Sequence, residues 1–593
     1  MSQSTPFINS AESCVDEQLL GFTAVNTAIV KLKDYRVVVD SARFSADADV
    51  KCVSIVTGGG SGHEPFAAGY VGTGMLASAV AGSVFASPPT PAIVAAISAA
   101  AGRSSGVLVV VMNYTGDKLN FGQAVEKCRA MGMKVEMYIS GDDSALTEVE
   151  HTAGRRGLCG TLFLLKIVGA QACGGASMKE LLKSCELVGG RCSTIGVAAS
   201  GCTVPGHKEP LFSVKKGWLE LGLGIHGEAG VRLVQSKTAK ELVNLMLDHL
   251  SNKDSVSNVP LERGDELVVM LNNLGAMTQI EMFTLVGETN KALVERGFVV
   301  QRLYVGCLLT SLDMKGFHIS LLKTTGYPEW LKLLDTPTNA PGWPAPYRAD
   351  VDSVDVGKLM NFKNPFDDIK KMSTYTVSVA LADQLRKFLE ILVKATAEWR
   401  DLLNDLDTGC GDGDCGTTIA EGASKISSSL DTLAYHQPVL LFQQLADIAG
   451  EAMGGTSGAL YSILLSVMSN SLASSVGDST GNIKESWVKC FIDAVDSVSK
   501  YGGAQRGDRT MLDALYPASD AAKKASNSSS LSEVLKDMSA AALDGAGATV
   551  SMTARAGRAS YVRGGDVRKV DAGARAVAFI LKSLADTAAS SNI

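Results

Sequence analysis

Two histidines, one aspartate and one cluster of three carboxylates stand where residue type and spacing allow chemistry in this 593-residue chain. Gly58-Gly59-Gly60-Ser61-Gly62-His63-Glu64-Pro65 follows an apolar run ending at Thr57. His63 is therefore expected in the crevice outside a strand's carboxyl end, where open α/β sheets bind ligands. The run reads as a substrate loop built from Gly60, Ser61, Gly62 and His63. A dinucleotide loop fits less well, because His63 replaces the third glycine of G-x-G-x-x-G and no acidic ribose partner is obvious. Asn113-Tyr114-Thr115-Gly116-Asp117 ends a second apolar run. If the two strands are parallel, Asp117 emerges at the same sheet edge as His63, and a base can meet its hydrogen-bonding partner there. Alone, Asp117 reads equally as a turn or helix-cap residue. Gly224-Ile225-His226-Gly227-Glu228 sets a histidine between glycines after a third strand, with nothing bulky to shield the ring. A neutral imidazole so exposed can add to an electrophilic carbonyl. His151, His207, His249, His318 and His436 read as structural.

Asp407-Thr408-Gly409-Cys410-Gly411-Asp412-Gly413-Asp414 gathers three carboxylates within eight residues at a predicted helix end. An EF-hand fits less well, since counting from Asp412 the loop needs ligands or glycine where Gly416, Thr417 and Ala423 stand. Mg²⁺ binds few protein carboxylates and takes its other ligands from water and substrate phosphates, so the loop suits a magnesium nucleotide. No Walker A motif exists: the single Gly-Lys step, Gly357-Lys358, continues with Leu359. Gly454-Gly455-Thr456-Ser457-Gly458 opens a helix and can offer backbone N–H groups and hydroxyls to an anion, or serve as a plain helix start. Arg555, Arg558, Arg563 and Arg568 read first as a solvated face, with one of them able to stabilise phosphoryl charge.

The elements that must position these groups divide the chain in two. Over residues 1–335, short β-branched apolar runs end in glycine-rich loops and helical stretches follow, which predicts an α/β domain. The expected strands are 53–57, 106–113, 135–140, 194–199, 220–225, 267–271, 302–309 and 317–322, with interiors apolar enough to be covered on both faces. A subdivision near 190–200 is expected but weakly marked. Four of the 16 prolines fall between Pro337 and Pro346, and residues 336–375 read as a linker. From 376 to 593 the apolar spacing turns helical, over 377–406, 438–453, 459–472, 484–501, 531–543 and 572–588, so an all-helical domain is expected. Pro65 to Gly102 carries no charge. Three prolines and weakly apolar Ala, Gly and Ser argue for buried helices there instead of a membrane span. The net charge of −7 argues against nucleic acid. The 12 cysteines form no C-x-x-C pair, and with no secretory or peroxisomal signal in view the expectation is a cytoplasmic, reduced protein.

Taken in order, Gly58–Pro65, Asn113–Phe121, Gly222–Gly230, Asp407–Thr418, Gly454–Leu460, Gly507–Asp513 and Gly557–Tyr561 resemble the motifs of the single-chain, ATP-dependent dihydroxyacetone kinases, the family that includes triokinase/FMN cyclase. The likeness spans essentially the whole chain. It implies an N-terminal substrate domain and a C-terminal barrel of antiparallel helices carrying the nucleotide. It also implies homodimers that bring one chain's barrel over the other's substrate site. By the same resemblance His226 forms a covalent hemiaminal with the substrate ketone, Asp117 and His63 handle the hydroxyl proton, and Asp407, Asp412 and Asp414 ligate Mg²⁺. Nucleotide contacts fall on Gly416, Thr417, Thr418, Ile419, Thr456, Ser457, Gly502, Thr510, Met511, Arg558, Asp571, Ala572 and Gly573. Two departures stand out. Met112 replaces the lysine common before Asn-Tyr-Thr-Gly-Asp, which puts a cationic substrate contact in doubt, and Ala572 replaces the proline of an Asp-Pro-Gly turn. The implied reaction is phosphoryl transfer from ATP to dihydroxyacetone, and to glyceraldehyde. Alternatives are cleavage of FAD to AMP and cyclic FMN at the helical domain, with Mn²⁺ or Mg²⁺, and a non-catalytic binder. The intact His and Asp set argues against the last.

Overall fold

The computed structural model describes residues 7–44, 52–102, 104–145, 154–228, 230–257, 259–345, 375–408, 411–474, 483–524, 530–556 and 569–590. Two compact units divide between Leu359 and Met360.

In the first unit, α1 (Cys14–Val25) precedes β1 (Ile29–Lys31), β2 (Val37–Asp40), β3 (Ser54–Ser61), β4 (Ser78–Val84), α2 (Thr90–Ala101), β5 (Val107–Met112), α3 (Thr115–Ala130) and β6 (Val135–Ser140). The strands form one sheet in the order β1-β2-β4-β3-β5-β6, with β4, β3, β5 and β6 mutually parallel. Helices α4 (Thr161–Cys173) and α5 (Met178–Gly189) lead to β7 (Cys192–Ala198), β8 (Trp218–Leu221), β9 (Arg232–Gln235), α6 (Ala239–Leu250), β10 (Glu266–Asn273), α7 (Gln279–Glu295), β11 (Val299–Gly306), β12 (Gly316–Lys323) and α8 (Pro328–Asp335). These strands make a second sheet, ordered β11-β10-β12-β7-β8-β9, in which only β10 and β11 pair in parallel. The second sheet thus begins at Cys192.

Helix α4 explains how two sheets share one unit. Eleven of its 13 residues are buried, the pattern of a helix covered on all sides. Leu162, Phe163, Leu165 and Val168 join Ile55 and Leu108 of the first sheet to Met270 and Leu322 of the second in one core. Each such side chain contributes roughly 1.5–3 kcal/mol by leaving water. Helices α2 and α3 cover the other face of the first sheet, and α6 and α7 the other face of the second. Lys166 is buried within α4 and donates to the carbonyls of Leu333 and Thr336 at 2.9 and 2.7 Å. It satisfies acceptors at the end of α8, and burial pushes its pKa down to about 8.

The structure corrects three local expectations. Gly58–Ser61 is the end of β3, not a loop after it. The glycines are there because a Cβ on Gly58 would strike the main chain of Val80 on β4, so the parallel pair closes only without side chains. The uncharged segment 65–102 holds β4 as well as α2. Small residues of low strand propensity hid β4, yet that same close approach to β3 demands them. The strand expected over 220–225 ends at Leu221, where Gly222 takes φ +75.

The second unit consists of α9 (Val379–Asp407), α10 (Cys415–Ser429), α11 (Pro438–Ala452), α12 (Gly455–Ser474), α13 (Ile483–Gly502), α14 (Leu512–Lys524), α15 (Leu531–Ala548) and α16 (Ala572–Ala589). Each helix packs on the next and α16 returns to α9, closing a ring. Local signals set the starts. Ser530 and Glu533 form a capping box, Pro438 occupies the first turn of α11, and Asp571 accepts the N–H of Ala574 at 2.8 Å. Helices α10 and α14 escape apolar periodicity because Gly, Ala, Ser and Thr pack them closely. A Cβ on Gly416 would overlap the Arg400 carbonyl of α9, and one on Gly545 the Asp513 carbonyl of α14. Among the described residues no helix is long and apolar enough to cross a membrane.

Candidate active site

Parallel pairing of β3 and β5 puts His63 and Asp117 at one edge of the first sheet. His226 comes from elsewhere. It lies in a turn four residues beyond Gly222, on the second sheet's side, and its ring stands 4.7 Å from that of His63, edge to face. Phe85 stacks on His63 at 5.0 Å, and Phe85 and Tyr114 both present edge-to-face contacts to His226 at 5.3 and 4.6 Å. The His226 imidazole is thus boxed by three rings and remains 21% exposed.

Hydrogen bonds fix which nitrogen of each ring carries a lone pair. Nδ1 of His63 lies 2.8 Å from the Thr310 carbonyl oxygen, which can only accept, so Nδ1 bears the proton. Its Nε2 is buried without a protein partner. Burial, with the His226 ring beside it, pushes the His63 pKa down to about 3, so the ring is neutral. Nδ1 of His226 faces Glu228 Oε1 at 3.1 Å, while Glu228 Oε2 accepts the His226 backbone N–H at 2.9 Å. Burial opposes the Glu228 charge, but these bonds prevail and bring its pKa down to about 2. The lone pair of the His226 ring is then on Nε2. Asp117 sits in the first turn of α3 with Oδ1 buried and unpartnered. Burial pushes its pKa up, while Ser87 and the nearby His226 ring work the other way. Unpartnered buried acceptors are rare enough to mark where a ligand's donors go.

Gly224 makes this arrangement possible. A Cβ there would overlap the Glu228 carboxylate and lie 2.7 Å from Arg156 Nη1. Gly224→Ala is therefore expected to displace Glu228 and raise the KM for the substrate bound at His226 about tenfold, equivalent to ~1.4 kcal/mol, with nucleotide KM unchanged. Steady-state titration of both substrates checks this.

His63 and the equally buried His318 share a pH signature. Both fall from the ordinary 6.5 to about 3 on burial. A depressed folded pKa means their stabilisation is complete above 6.5 and is lost as pH falls from 6.5 toward 3. The slope is about 1.4 kcal/mol per pH unit for each ring. The melting temperature is expected to drop between pH 7 and pH 5, and to drop less in His318→Gln. Melting curves at the two pH values decide, and an unchanged drop in the variant would contradict the assignment.

The second unit builds its site from helix starts. In a ring of antiparallel neighbours the even-numbered helices share one direction, and the starts of α10, α12, α14 and α16 line a single cavity of about 470 Å³. Their N–H groups and dipoles favour an anion. At its rim, carboxylate oxygens of Asp407, Asp412 and Asp414 lie within 4.8 Å of one another. Asp407 Oδ2 accepts the N–H groups of Gly413 and Asp414 at 2.9 and 3.1 Å, which folds the loop back over the end of α9. Gly413 has φ +76, and a side chain on Gly411 would overlap the Asp407 carboxylate. Three hard oxygen donors in mutual repulsion fit a divalent cation. Thr418, Ile419, Thr456, Ser457, Thr510, Met511, Asp571, Ala572 and Gly573 line the cavity. Burial pushes the Asp571 pKa up to about 6.

A Dak1 domain matches residues 20–342 and a DAK2 domain residues 409–586. The Homo sapiens protein named triokinase/FMN cyclase is 38% identical over 585 residues, covering 98% of this chain and 99% of its own. This chain belongs to the dihydroxyacetone kinase family. Another family member, dihydroxyacetone kinase 2 of Saccharomyces cerevisiae, is 35% identical over 572 residues, with 94% of each chain covered. The dihydroxyacetone kinase of C. freundii, solved in complex with AMP-PNP and Mg²⁺, superposes with a TM-score of 0.69 at 31% identity, covering 98% of this chain and 99% of that one.

Some expected family contacts lie apart from the cavity. Gly416 is spent on packing against Arg400, Thr417 exchanges hydrogen bonds with Asn404 at 3.0 Å, and Gly502 adjoins Leu460 behind the wall. Arg558 lies outside the described residues, as does the motif 557–561. Met112 is 4% exposed and packs in the core against Gly157. Ser61 Oγ donates to the Gly82 carbonyl at 2.8 Å, Gly62 takes φ +97, and a Cβ on Gly60 would crowd Phe85 and Ala86. These three shape the turn that delivers His63. Sequence reading missed Glu228, although His-Gly-Glu carried the signal. It also missed Phe85, and Tyr461 and Arg509 of the cavity lining, whose spacing carries none.

Proposed function

We propose that this chain transfers the γ-phosphoryl group of ATP to a hydroxyl of dihydroxyacetone, and of glyceraldehyde, giving the triose phosphate. The observation that carries the reading is His226, a boxed imidazole whose Nδ1 is held by Glu228 and whose Nε2 is left for a carbonyl. In the proposed first step the Nε2 lone pair bonds to the carbonyl carbon and the C=O π pair moves to oxygen, which takes a proton from solvent. The ring's positive charge is balanced by Glu228. Only an aldehyde or ketone forms this hemiaminal, so glycerol is rejected despite its similar size. Capture also fixes the acceptor hydroxyl. Asp117 Oδ1 accepts the hydroxyl proton as the oxygen attacks phosphorus and ADP leaves, while His63 Nε2 accepts a hydrogen bond from the held substrate.

The nucleotide belongs in the cavity of the helical unit, with its phosphates against the helix starts. Asp407, Asp412 and Asp414 would hold Mg²⁺, which supplies neutralisation of charge on the transferring phosphoryl group when bound. The working form on this reading is a cytoplasmic homodimer, which sedimentation of the purified chain tests. The functional test is ADP formation from MgATP with dihydroxyacetone, glyceraldehyde, glycerol or no acceptor. ADP with the two trioses alone is expected. No triose-dependent ADP from folded, magnesium-loaded protein would overturn the reading.

The second half of the human relative's name, FMN cyclase, favours a second activity. The helical unit would cleave FAD to AMP and cyclic FMN, reusing the diphosphate cavity and carboxylates, with Mn²⁺ or Mg²⁺. Incubation with FAD and either metal, followed by chromatography for the cyclic flavin phosphate, tests it.

A further inference from the structure

A line of charge behind His226 takes no part in the steps above. Arg156 Nε donates to Asp143 Oδ2 at 2.6 Å, and its Nη2 donates to the Gly222 carbonyl at 2.7 Å. Asp143 is only 2% exposed and Arg156 19%. The remaining end of the guanidinium, Nη1, and Oε2 of Glu228 flank the same bare glycine, Gly224. The order is Asp143, Arg156, Glu228, His226, alternating in sign up to the imidazole.

The segment carrying Arg156 is rigidly held. The Arg156 carbonyl accepts the N–H groups of Asp142 and Asp143, both at 3.0 Å. Asp142 in turn accepts the N–H groups of Leu158 and Gly160 at 2.6 and 2.8 Å, and it is 2% exposed. A long cationic side chain anchored at its base and at one edge presents its other edge in a fixed place. Across Gly224 the guanidinium and the Glu228 carboxylate are near each other without forming an ion pair, and they act on one another by charge alone.

We propose that Arg156, anchored by Asp143, is a positioning residue for His226: it holds the Glu228 carboxylate against Nδ1, so that the lone pair stays on Nε2 toward the substrate carbonyl. The inference rests on the triose kinase reading for its consequence, not for its geometry. Attraction between the guanidinium and the half-buried carboxylate is stronger than it would be in open water. Without it Glu228 is held only by the His226 backbone N–H and ring, and His226 then samples the other tautomer.

The test uses the full chain with Arg156→Met, Arg156→Lys and the pair Asp143→Asn with Arg156→Met. The pair removes the unpaired buried carboxylate that could prevent the single variant from folding. Expected is a 10–100-fold loss of kcat/KM for dihydroxyacetone in both methionine variants. KM for ATP stays unchanged, and Arg156→Lys recovers much of the loss. The second readout needs no activity: ¹⁵N correlation spectra of histidine-labelled protein should show His226 protonated at Nδ1 alone in the parent and as a tautomer mixture in the methionine variants. A folded methionine variant that keeps the parent triose kinetics, or the pure Nδ1–H spectrum, overturns the inference. A parent without triose-dependent ADP overturns the kinase reading, and the spectra still judge Arg156.

Discussion

Replacing His226 with alanine should lower kcat/KM for dihydroxyacetone by about 10³-fold while leaving KM for ATP within a factor of about two. The estimate is conservative beside the 10⁵–10⁸ M effective molarities that well-oriented capture can supply. The loss should fall on discrimination as well as rate. Without Nε2 nothing distinguishes a ketone from the corresponding alcohol, so the ratio of triose to glycerol turnover moves toward one. The substitution removes a partly exposed side chain and leaves the His63 bond to Thr310 intact, so loss of fold is not the expected cause. Competition assays with dihydroxyacetone and glycerol, together with the melting temperature, check this. Activity within tenfold of the parent would mean that covalent capture is not how the triose is held.

Asp412→Asn should cost about 10²–10³-fold in kcat/KM for MgATP, in the range of removing one preorganised electrostatic group. Raising free Mg²⁺ should recover part of it. Asp407→Asn should recover less, because Asp407 also binds the N–H groups of Gly413 and Asp414 and so holds the loop itself. Titration of ADP formation against Mg²⁺ for both variants separates ligation from loop order. If FAD cleavage is detected, the account requires it to fall in the same variants, whereas His226→Ala should spare it. A magnesium dependence unaltered in Asp412→Asn would contradict the assignment of these carboxylates.

The sequence was legible where function forces residue type into a short window. Glycines beside His63, Asp117 and His226 mark close backbone approach, and three aspartates in eight residues do bring their carboxylates together. It was less legible where the constraint is contact between distant segments. Nothing near residue 226 announces that its ring meets His63 from another sheet, since that meeting depends on α4 holding the sheets together. Arg156 and Asp143 carry no motif, because what joins them is a side-chain ion pair between residues 13 positions apart. Helices α10 and α14 and strand β4 escaped the apolar pattern for a common reason. Each packs backbone against backbone, and small residues replace the apolar spacing by which elements are recognised. The four helix starts lining one cavity are likewise a property of ring closure and alternating direction, visible only once the helices are assembled.

The most direct measurement is a ¹³C spectrum of [2-¹³C]dihydroxyacetone bound to the parent chain and to His226→Ala, without nucleotide. The account predicts that the bound carbon leaves the carbonyl region for the sp³ region in the parent and stays a ketone carbon in the variant, with the free hydrate signal the same in both. A bound triose whose second carbon remains a carbonyl in the parent would contradict it.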